Sequence, residues 1–178
     1  MQKVIGTIGC PGSGKSTLSL TLNPLEWVTI TLDDWRQALF PPHRRTYWDV
    51  RAKGKDKEAQ ALLHHVQQSA VVGALDLGWN VFLADTHIVK PDFQEELEII
   101  EHFGIEIHWV VLSVPQGVLV KRNNMRDKVS MQVPESILIQ RYNEMWAEDA
   151  WWRKEKNVTI LNHDEDVIGK FKQVVESC

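Results

Sequence analysis

Residues 4–16 of the chain read VIGTIGCPGSGKS, and this stretch decides the fold. Its first five residues form a short apolar run bounded by glycine, which is typical of a buried parallel strand. From Lys15 to Leu22 the pattern turns helical, and Asn23-Pro24 ends it. Between strand and helix, Gly9–Ser16 fits the pattern G-x-x-x-x-G-K-[ST], which is specific when a strand precedes it and a helix follows. The stretch therefore predicts a phosphate-binding P-loop.

Strands and helices alternate along the rest of the chain. Apolar or β-branched runs predict four further strands, at Trp27–Leu32, Val81–Ala84, Ile105–Leu112 and Val158–Leu161. Helical patterns fill the intervals, at Asp33–Phe40, Lys57–Leu77, Pro91–Phe103, Gln116–Asn124, Pro134–Trp151 and Asp166–Glu176. This alternation predicts an α/β fold in which helices cover both faces of a five-stranded parallel sheet. A length of 178 residues suits one domain, so we expect a single domain over residues 1–178.

Composition narrows the class of protein. Hydrophobic residues make up 43% of the chain, which is enough for a real core. A formal net charge of -4 gives no global field that draws nucleic acid, so a polyanion would need a local basic patch. The two cysteines, Cys10 and Cys178, favour a reducing compartment over a disulfide. No apolar run approaches the roughly 20 residues of a spanning helix. We therefore expect a cytoplasmic protein with no membrane partner.

The P-loop pattern needs these residue types at this spacing. Glycines let the backbone curl so that its N–H groups point at phosphate oxygens, and the following helix N-terminus adds partial positive charge. Lys15 reaches the β- and γ-phosphates, and the Ser16 hydroxyl is the expected magnesium ligand. The alternative is a glycine-rich turn that binds nothing. The pattern therefore predicts that the chain binds a nucleoside triphosphate together with Mg2+.

Candidate acceptor-side residues follow two of the predicted strands. Asp33 and Arg36 follow the second strand, and Asp85 and Thr86 follow the third. Sites in parallel sheets form beyond these strand ends, and phosphoryl transfer to an alcohol needs a carboxylate that accepts the hydroxyl proton. Asp33 lies three residues before Arg36, so the two share a helix face. In the alternative, Asp33 caps a helix and Arg36 is solvated. Asp85 supports magnesium or holds an arginine in position.

Basic residues follow the fourth predicted strand and its helix, at Lys121, Arg122 and Arg126. In small kinases this region is a lid whose arginine neutralises charge on the transferring phosphoryl group. The i, i+4 spacing would let one helix present both arginines. The alternative is a solvated basic helix end, favourable to the helix dipole. With the P-loop, the lid predicts a nucleotide-binding set of Gly9, Gly12, Ser13, Gly14, Lys15, Ser16, Thr17, Arg122 and Arg126.

Several separate motifs resemble those of phage 5′-hydroxyl polynucleotide kinases. The similar segments are Thr7–Thr17, the Asp-Asp-Trp-Arg-Gln run at 33–37, Ala84-Asp85-Thr86, Val114-Pro115, residues 119–123, Arg126 and Val133-Pro134. They span Thr7 to about Met145 at matching intervals. The resemblance implies a P-loop kinase fold with sheet order 2-3-1-4-5 and a small lid at about residues 122–133.

The resemblance also implies a role for each matching residue. Asp33 would be the general base that activates a 5′-hydroxyl of DNA or RNA. Lys15 and Arg126 would stabilise the transferring phosphoryl group, which makes these three the predicted catalytic residues. The predicted substrate-binding residues are Arg36, Asp85 and Thr86. Arg36 would hold the phosphate of the terminal nucleotide, Asp85 would orient Arg36, and Thr86 would lie near the same phosphate.

The chain departs from the family pattern at three places. Trp35 stands where the family has tyrosine, and Thr31-Leu32 stand where it often has Asn-Arg, which removes one positive charge. The family's best-known member continues into a 3′-phosphatase domain that needs a D-x-D-x-T motif. Residues 164–168 match that motif only in part, with about a dozen residues after it. We therefore expect no phosphatase domain and interpret these acids as a helix start.

The resemblance implies ATP-dependent phosphorylation of the 5′-hydroxyl ends of DNA or RNA, a reaction of end repair. If the chain is phage-encoded, it would act in the host cytoplasm. The alternative is a P-loop kinase of a small alcohol, nucleoside or nucleotide. Basic and aromatic residues from His43 to Lys57 are candidates for single-strand binding, or form a solvated loop. Trp151-Trp152 could pack the last helices or form a subunit contact, so a homo-oligomer stays possible.

Overall fold

The computed structural model describes residues 2–41, 50, 53–126 and 133–178. One sheet is formed by five parallel strands, β1 Val4–Ile8, β2 Trp27–Ile30, β3 Asn80–Leu83, β4 Ile107–Ser113 and β5 Val158–Asn162. Their order across the sheet is β2-β3-β1-β4-β5, which confirms the predicted order and fold class. Residues 42–49 and 51–52 make up most of the basic segment predicted to bind single strands. Like residues 127–132 of the predicted lid, they lie outside the described residues.

Helices occupy the intervals between the strands. The described α-helices are α1 Lys15–Ser19, α2 Leu32–Leu39, α3 Asp56–Asp76, α4 Gln94–His102, α5 Gln116–Asn124, α6 Glu135–Trp146 and α7 Val167–Ser177. Short 3-10 turns cover Lys90–Phe93 and Trp151–Lys154. Glycines in the left-handed backbone region follow α3 and α4 where the sequence predicts the helix ends, Gly78 with φ 85° and Gly104 with φ 68°. No helix among the described residues is long and apolar enough to cross a membrane.

The core lies on both faces of the sheet. Ile5 of β1 packs with Leu18 of α1 and Phe171 of α7. On the opposite face, Val4 packs in the cluster that α3 and α4 complete, and Ile8 packs in the cluster that α5 and α6 complete. Because successive strand side chains point to opposite faces, this division shows that helices cover the sheet on both sides.

Gly6 permits a close approach between the central strand and its neighbour. A Cβ atom at Gly6 would lie 2.3 Å from a ring carbon of Trp109, which stands opposite it in β4. Trp109 is buried, as its predicted place in a strand suggests. The indole therefore takes the space that a side chain at Gly6 would need.

The first helix is shorter than predicted. It ends at Ser19 rather than Leu22. The Ser19 hydroxyl donates to the Ser16 carbonyl at 2.9 Å, and the Thr21 hydroxyl donates to the Leu18 carbonyl at 2.7 Å. Such local side-chain bonds compete with the helical backbone, and hydrophobic periodicity does not reveal them.

The helix after the lid is also shorter than predicted, ending at Trp146 rather than Trp151. The Trp152 indole N–H donates to the Met145 carbonyl at 2.9 Å, which satisfies one of the carbonyls at the helix end. The Trp151 indole N–H donates to the His87 carbonyl at 3.1 Å. The two tryptophans thus join the end of α6 to the segment after β3.

The last helix begins as predicted. The Asp166 carboxylate accepts from the Gly169 N–H at 3.0 Å and caps α7. This confirms that the acids near residue 165 form a helix start.

Candidate active site

The P-loop is tightly closed on itself. Gly12 and Gly14 have φ values of 85° and 107°, which glycine adopts without strain. A Cβ atom at Gly9 would lie 2.5 Å from the Ser13 hydroxyl oxygen. That hydroxyl is buried and makes no hydrogen bond to the described residues. A curled glycine backbone with an orphaned buried hydroxyl fits a bound phosphate group.

Lys15 folds over the loop that precedes it. Its Nζ donates to the Gly9 carbonyl at 2.8 Å and to the Cys10 carbonyl at 3.1 Å. Burial lowers the pKa of Lys15 to about 8, although the Asp33 and Asp85 carboxylates act in the opposite direction. Burial thus disfavours the charged form of Lys15, and the negative charge of a bound phosphate would offset this loss of solvation.

Ser16 and Thr17 lie at the start of α1, and both are exposed. Among residues 2–41, 50, 53–126 and 133–178, no group of three or more His, Cys, Asp or Glu could hold a metal ion by itself. A magnesium ion here would therefore take the Ser16 hydroxyl together with phosphate oxygens and water, as the chemistry of small hard cations allows.

The start of α2 carries the predicted base. Thr31 caps this helix, and its hydroxyl oxygen accepts from the Asp33 N–H at 3.3 Å. The interpretation of Asp33 as the capping residue is therefore wrong. The exposed Asp33 carboxylate instead accepts from Arg36 Nη1 at 2.6 Å, which confirms the predicted shared face.

Asp85 follows β3 and holds the start of α2. Its carboxylate accepts from the Thr31 hydroxyl at 3.1 Å and from the Leu32 N–H at 3.0 Å. Burial raises the pKa of the Asp85 carboxyl. Asp85 thus positions the helix on which Arg36 stands. That Asp85 orients Arg36, as the family resemblance implies, stays a prediction.

Hydrogen bonds join the segment after β3 to the P-loop strand. The Gly9 N–H donates to the Thr86 carbonyl at 3.1 Å. The Thr7 hydroxyl, fully buried, lies 3.0 Å from the Leu83 carbonyl and 2.9 Å from that of Asp85. Donor-side and acceptor-side residues are therefore fixed to one rigid frame.

The two lid arginines sit differently. Arg122, in α5, donates from Nη1 to the Gly12 carbonyl at 3.2 Å. The helix ends at Asn124, so Arg126 lies beyond it. The expectation that one helix presents both arginines is wrong, because the chain leaves the helix between them.

Asn123, at the end of α5, bonds to Val133, a contact that the sequence alone did not indicate. It is 3% exposed, its amide N–H donates to the Val133 carbonyl at 2.8 Å, and its carbonyl oxygen accepts from the Val133 N–H at 3.0 Å. These two bonds join the end of α5 to the residue that precedes Pro134 and α6. Its only early signal was that both residues fall in motifs of the family resemblance.

A cavity of about 800 Å³ brings most of the predicted site residues together. Gly9, Ser13 and Arg122 do not line it. The predicted residues that do are Gly12, Gly14, Lys15, Ser16, Thr17, Asp33, Arg36, Asp85, Thr86 and Arg126.

Arg141 also lines the cavity, and sequence reasoning missed it. It stands on α6, bonds to Glu144 at 3.0 Å and lies 3.8 Å from Asp92. A basic residue one helix beyond the lid was the available signal, but the helical pattern did not show which face meets the cavity.

His87 is the second functional candidate that the sequence left without a role. It is 4% exposed, its backbone has φ 41°, and its Nδ1 lies 2.8 Å from the Thr7 carbonyl oxygen. Its Nε2 lies 3.7 Å from the Glu96 carboxylate. Burial alone would lower the pKa of His87, but the Glu96 and Asp85 carboxylates and the Thr7 carbonyl together outweigh burial, and the pKa is raised.

Cys10 fills space within the P-loop. It is 1% exposed, and its sulfur lies 3.9 Å from that of Met145. Burial raises the pKa of the Cys10 thiol to about 11, so the unreactive protonated form prevails near neutral pH. Cys10 is buried and Cys178 is exposed, and both are free.

Several solved structures share this fold. One is the Pnkp1/Rnl/Hen1 RNA repair complex, at 20% identity and a TM-score of 0.66, with 88% of this chain matching 47% of that chain. A gluconokinase from Sinorhizobium meliloti has 16% identity and a TM-score of 0.59, with 98% of this chain matching 90% of that one. A tunicamycin resistance protein from Deinococcus radiodurans has 16% identity and a TM-score of 0.62, covering 99% and 95%. The chain thus spans about half of the repair protein and nearly all of the other two.

A family profile gives the sequence-level assignment. The profile named AAA_33, described as an AAA domain, matches residues 4–143. This range includes the P-loop, the start of α2, the segment after β3 and the lid. The match covers more than half of the chain, so the chain belongs to the AAA_33 family of AAA domains, and its parallel sheet of order 2-3-1-4-5 carries the P-loop at the end of the central strand.

Proposed function

We propose that the chain transfers the γ-phosphate of ATP to the 5′-hydroxyl end of a DNA or RNA strand. The observation that carries this proposal is the Asp33–Arg36 pair, joined at 2.6 Å on the wall of the cavity that the P-loop also lines. A carboxylate can accept a hydroxyl proton, and an adjacent guanidinium can hold a phosphate. An acceptor that carries a phosphate one nucleoside away from its reacting hydroxyl would use both groups.

The remaining residues have roles in the same reaction. MgATP, when bound, supplies the transferable phosphoryl group. Lys15 and Arg126 stabilise the negative charge on that group, while Ser16 is a magnesium ligand. Asp33 takes the proton of the attacking hydroxyl as the new oxygen–phosphorus bond forms and the bond to the ADP oxygen breaks. Thr86 lies near the phosphate that Arg36 holds.

Two similarities support a nucleic-acid acceptor. The Asp-Asp-Trp-Arg-Gln run and the lid residues resemble those of 5′-hydroxyl polynucleotide kinases over separate motifs. One structure of the same fold belongs to an RNA repair complex, although this chain spans 47% of that chain. The acceptor assignment rests on these and on the Asp33–Arg36 geometry.

The second candidate is a kinase of a small alcohol, nucleoside or nucleotide. The gluconokinase matches this chain over 98% of its length, which favours a compact enzyme with a small acceptor. The Asp33 base and the P-loop would serve that reaction equally well. In that case Arg36 would hold a different anionic group or none.

Labelled phosphate transfer from ATP distinguishes the two candidates. We would compare 5′-hydroxyl oligonucleotides of DNA and RNA with free nucleosides and polyols, using 5′-phosphorylated oligonucleotides as the control. Transfer to 5′-hydroxyl ends and not to the phosphorylated control is the expected result. Transfer to small alcohols alone would overturn the nucleic-acid acceptor.

A further inference from the structure

Three buried polar side chains form a cluster on the wall of the cavity. Gln67 of α3, His87 after β3 and Glu96 of α4 are 3%, 4% and 4% exposed. The Gln67 amide N–H groups lie 3.2 Å from both oxygens of the Glu96 carboxylate. All three side chains line the cavity that holds the P-loop and Asp33. The cluster brings together elements that are distant in sequence, on the acceptor side of the site.

Packing alone leaves this cluster with unused hydrogen-bonding capacity. Gln67 Oε1 and His87 Nε2 are buried, and neither makes a hydrogen bond to the described residues. The distance of 3.7 Å from His87 Nε2 to Glu96 is too long for a hydrogen bond. A buried polar atom without a partner destabilises the fold, and His87 also has a left-handed backbone with φ 41°. Such features gather at sites that bind ligands.

Charge limits what the cluster could bind. The Glu96 and Asp92 carboxylates line the same cavity. Arg141 lies 3.8 Å from Asp92 and offsets its charge, whereas Arg36 and Arg126 line the cavity from α2 and from beyond the end of α5. A phosphate beside Glu96 would be repelled, whereas a hydroxyl or amino group could donate to its oxygens.

We propose that Gln67, His87 and Glu96 form the binding site for a neutral, hydrogen-bond-donating part of the acceptor. This inference rests on the proposed function, in which the acceptor is a nucleic-acid end. The donating group is then a hydroxyl or amino group of the terminal nucleoside. Glu96 and Gln67 Oε1 accept its protons while Arg36 holds the phosphate on its other side. The cluster therefore selects among terminal nucleosides.

The test compares two neighbouring glutamates of α4. Glu96→Gln keeps the shape of the side chain but replaces one accepting oxygen with a donating amide. Glu95→Gln is the matched control, because Glu95 is exposed, pairs with Gln68 at 2.6 Å and does not line this cavity. We expect Glu96→Gln to raise the oligonucleotide KM about tenfold, the loss of one charged hydrogen bond, with the ATP KM unchanged. Glu95→Gln should leave both KM values unchanged.

Three substrates that differ only in the 5′-terminal unit identify the donor: adenosine, 2′-deoxyadenosine and an abasic deoxyribose. The effect of Glu96→Gln should vanish with the unit that lacks the recognised group. Equal KM values for the Glu96 and Glu95 variants on all three substrates would overturn the binding site. If Glu96→Gln does not fold, as thermal unfolding would show, Gln67→Met gives the same decision. If the wild-type protein phosphorylates no oligonucleotide, the proposed function itself is overturned. If it does, but Glu96→Gln leaves the oligonucleotide KM unchanged, only the binding site is overturned.

Discussion

ATP affinity should fall steeply above about pH 8, because Lys15 loses its charge there. Burial lowers the pKa of Lys15 to about 8, from an ordinary value of 10.5. Only the ammonium attracts the β- and γ-phosphates, so the fraction of protein competent to bind ATP tightly follows the charged fraction of Lys15. That fraction falls from about nine tenths at about pH 7 to about one tenth at about pH 9. The apparent Kd for ATP should therefore rise about tenfold over this range.

Calorimetric titration of the protein with a non-hydrolysable ATP analogue and Mg2+ measures this dependence. The pKa that governs the curve is that of the free protein, since the bound nucleotide holds the lysine in its charged form. Lys15→Arg is the matched control, because a guanidinium stays charged throughout the range. Its affinity should be weaker and flat with pH. A wild-type Kd that is constant from about pH 7 to about pH 9 would refute the reasoning, because it would mean that the buried ammonium keeps an ordinary pKa.

Three further predictions concern single substitutions. Asp33→Asn should leave nucleotide binding nearly intact and cut turnover by about 10²-fold or more, the scale of a lost general base, so retained turnover would remove Asp33 from the mechanism. Arg36→Ala should raise the acceptor KM with little change in the ATP KM, and an unchanged acceptor KM would argue against its phosphate contact. Gly6→Ala should destabilise the fold by about 1–3 kcal/mol in urea unfolding, because its Cβ would lie 2.3 Å from the Trp109 ring. Equal midpoints for Gly6→Ala and wild type would show that the indole moves aside at no cost.

The sheet could be predicted from the sequence because each strand carries its own local signal. Val4–Ile8 is a short apolar run beside a P-loop, and the other four strands are apolar or β-branched runs between helices. The predicted strand bounds differ from the structure by at most two residues at either end. Parallel strands that are buried on both faces appear as apolar runs in the local sequence, so they can be recognised without knowing which distant residues they contact.

Helix ends were less predictable because distant or competing groups set them. The end of α6 depends on the Trp152 indole, which bonds back to Met145 from beyond the helix. The end of α1 depends on hydroxyl groups of Ser19 and Thr21, whose choice between solvent and backbone is invisible in a hydrophobic pattern.

The candidate site divides in the same way. Residues tied to a motif, such as Lys15, Asp33 and Asp85, could be found from the sequence because a strand end fixes their place. Gln67 and Glu96 could not, since they stand 29 residues apart on two helices and only packing joins them. Helical periodicity assigns polar residues to the surface and apolar residues to the core. It therefore does not predict a buried pair of polar side chains.

The arrangement of charge in the cavity constrains how an acceptor can lie there. Arg36 and Arg126 line it from α2 and from the lid, while Glu96 of α4 lines it beside His87. A terminal nucleotide has the same polarity, with a phosphodiester on one side and neutral groups on the other. Under the proposed function, the phosphate of that nucleotide would lie at Arg36 and its neutral groups at Glu96. The hydroxyl would then lie toward Asp33, because Asp33 and Arg36 are paired at 2.6 Å. The net charge of -4 therefore does not weigh against a nucleic-acid acceptor, since a few partly buried charges decide the orientation at close range.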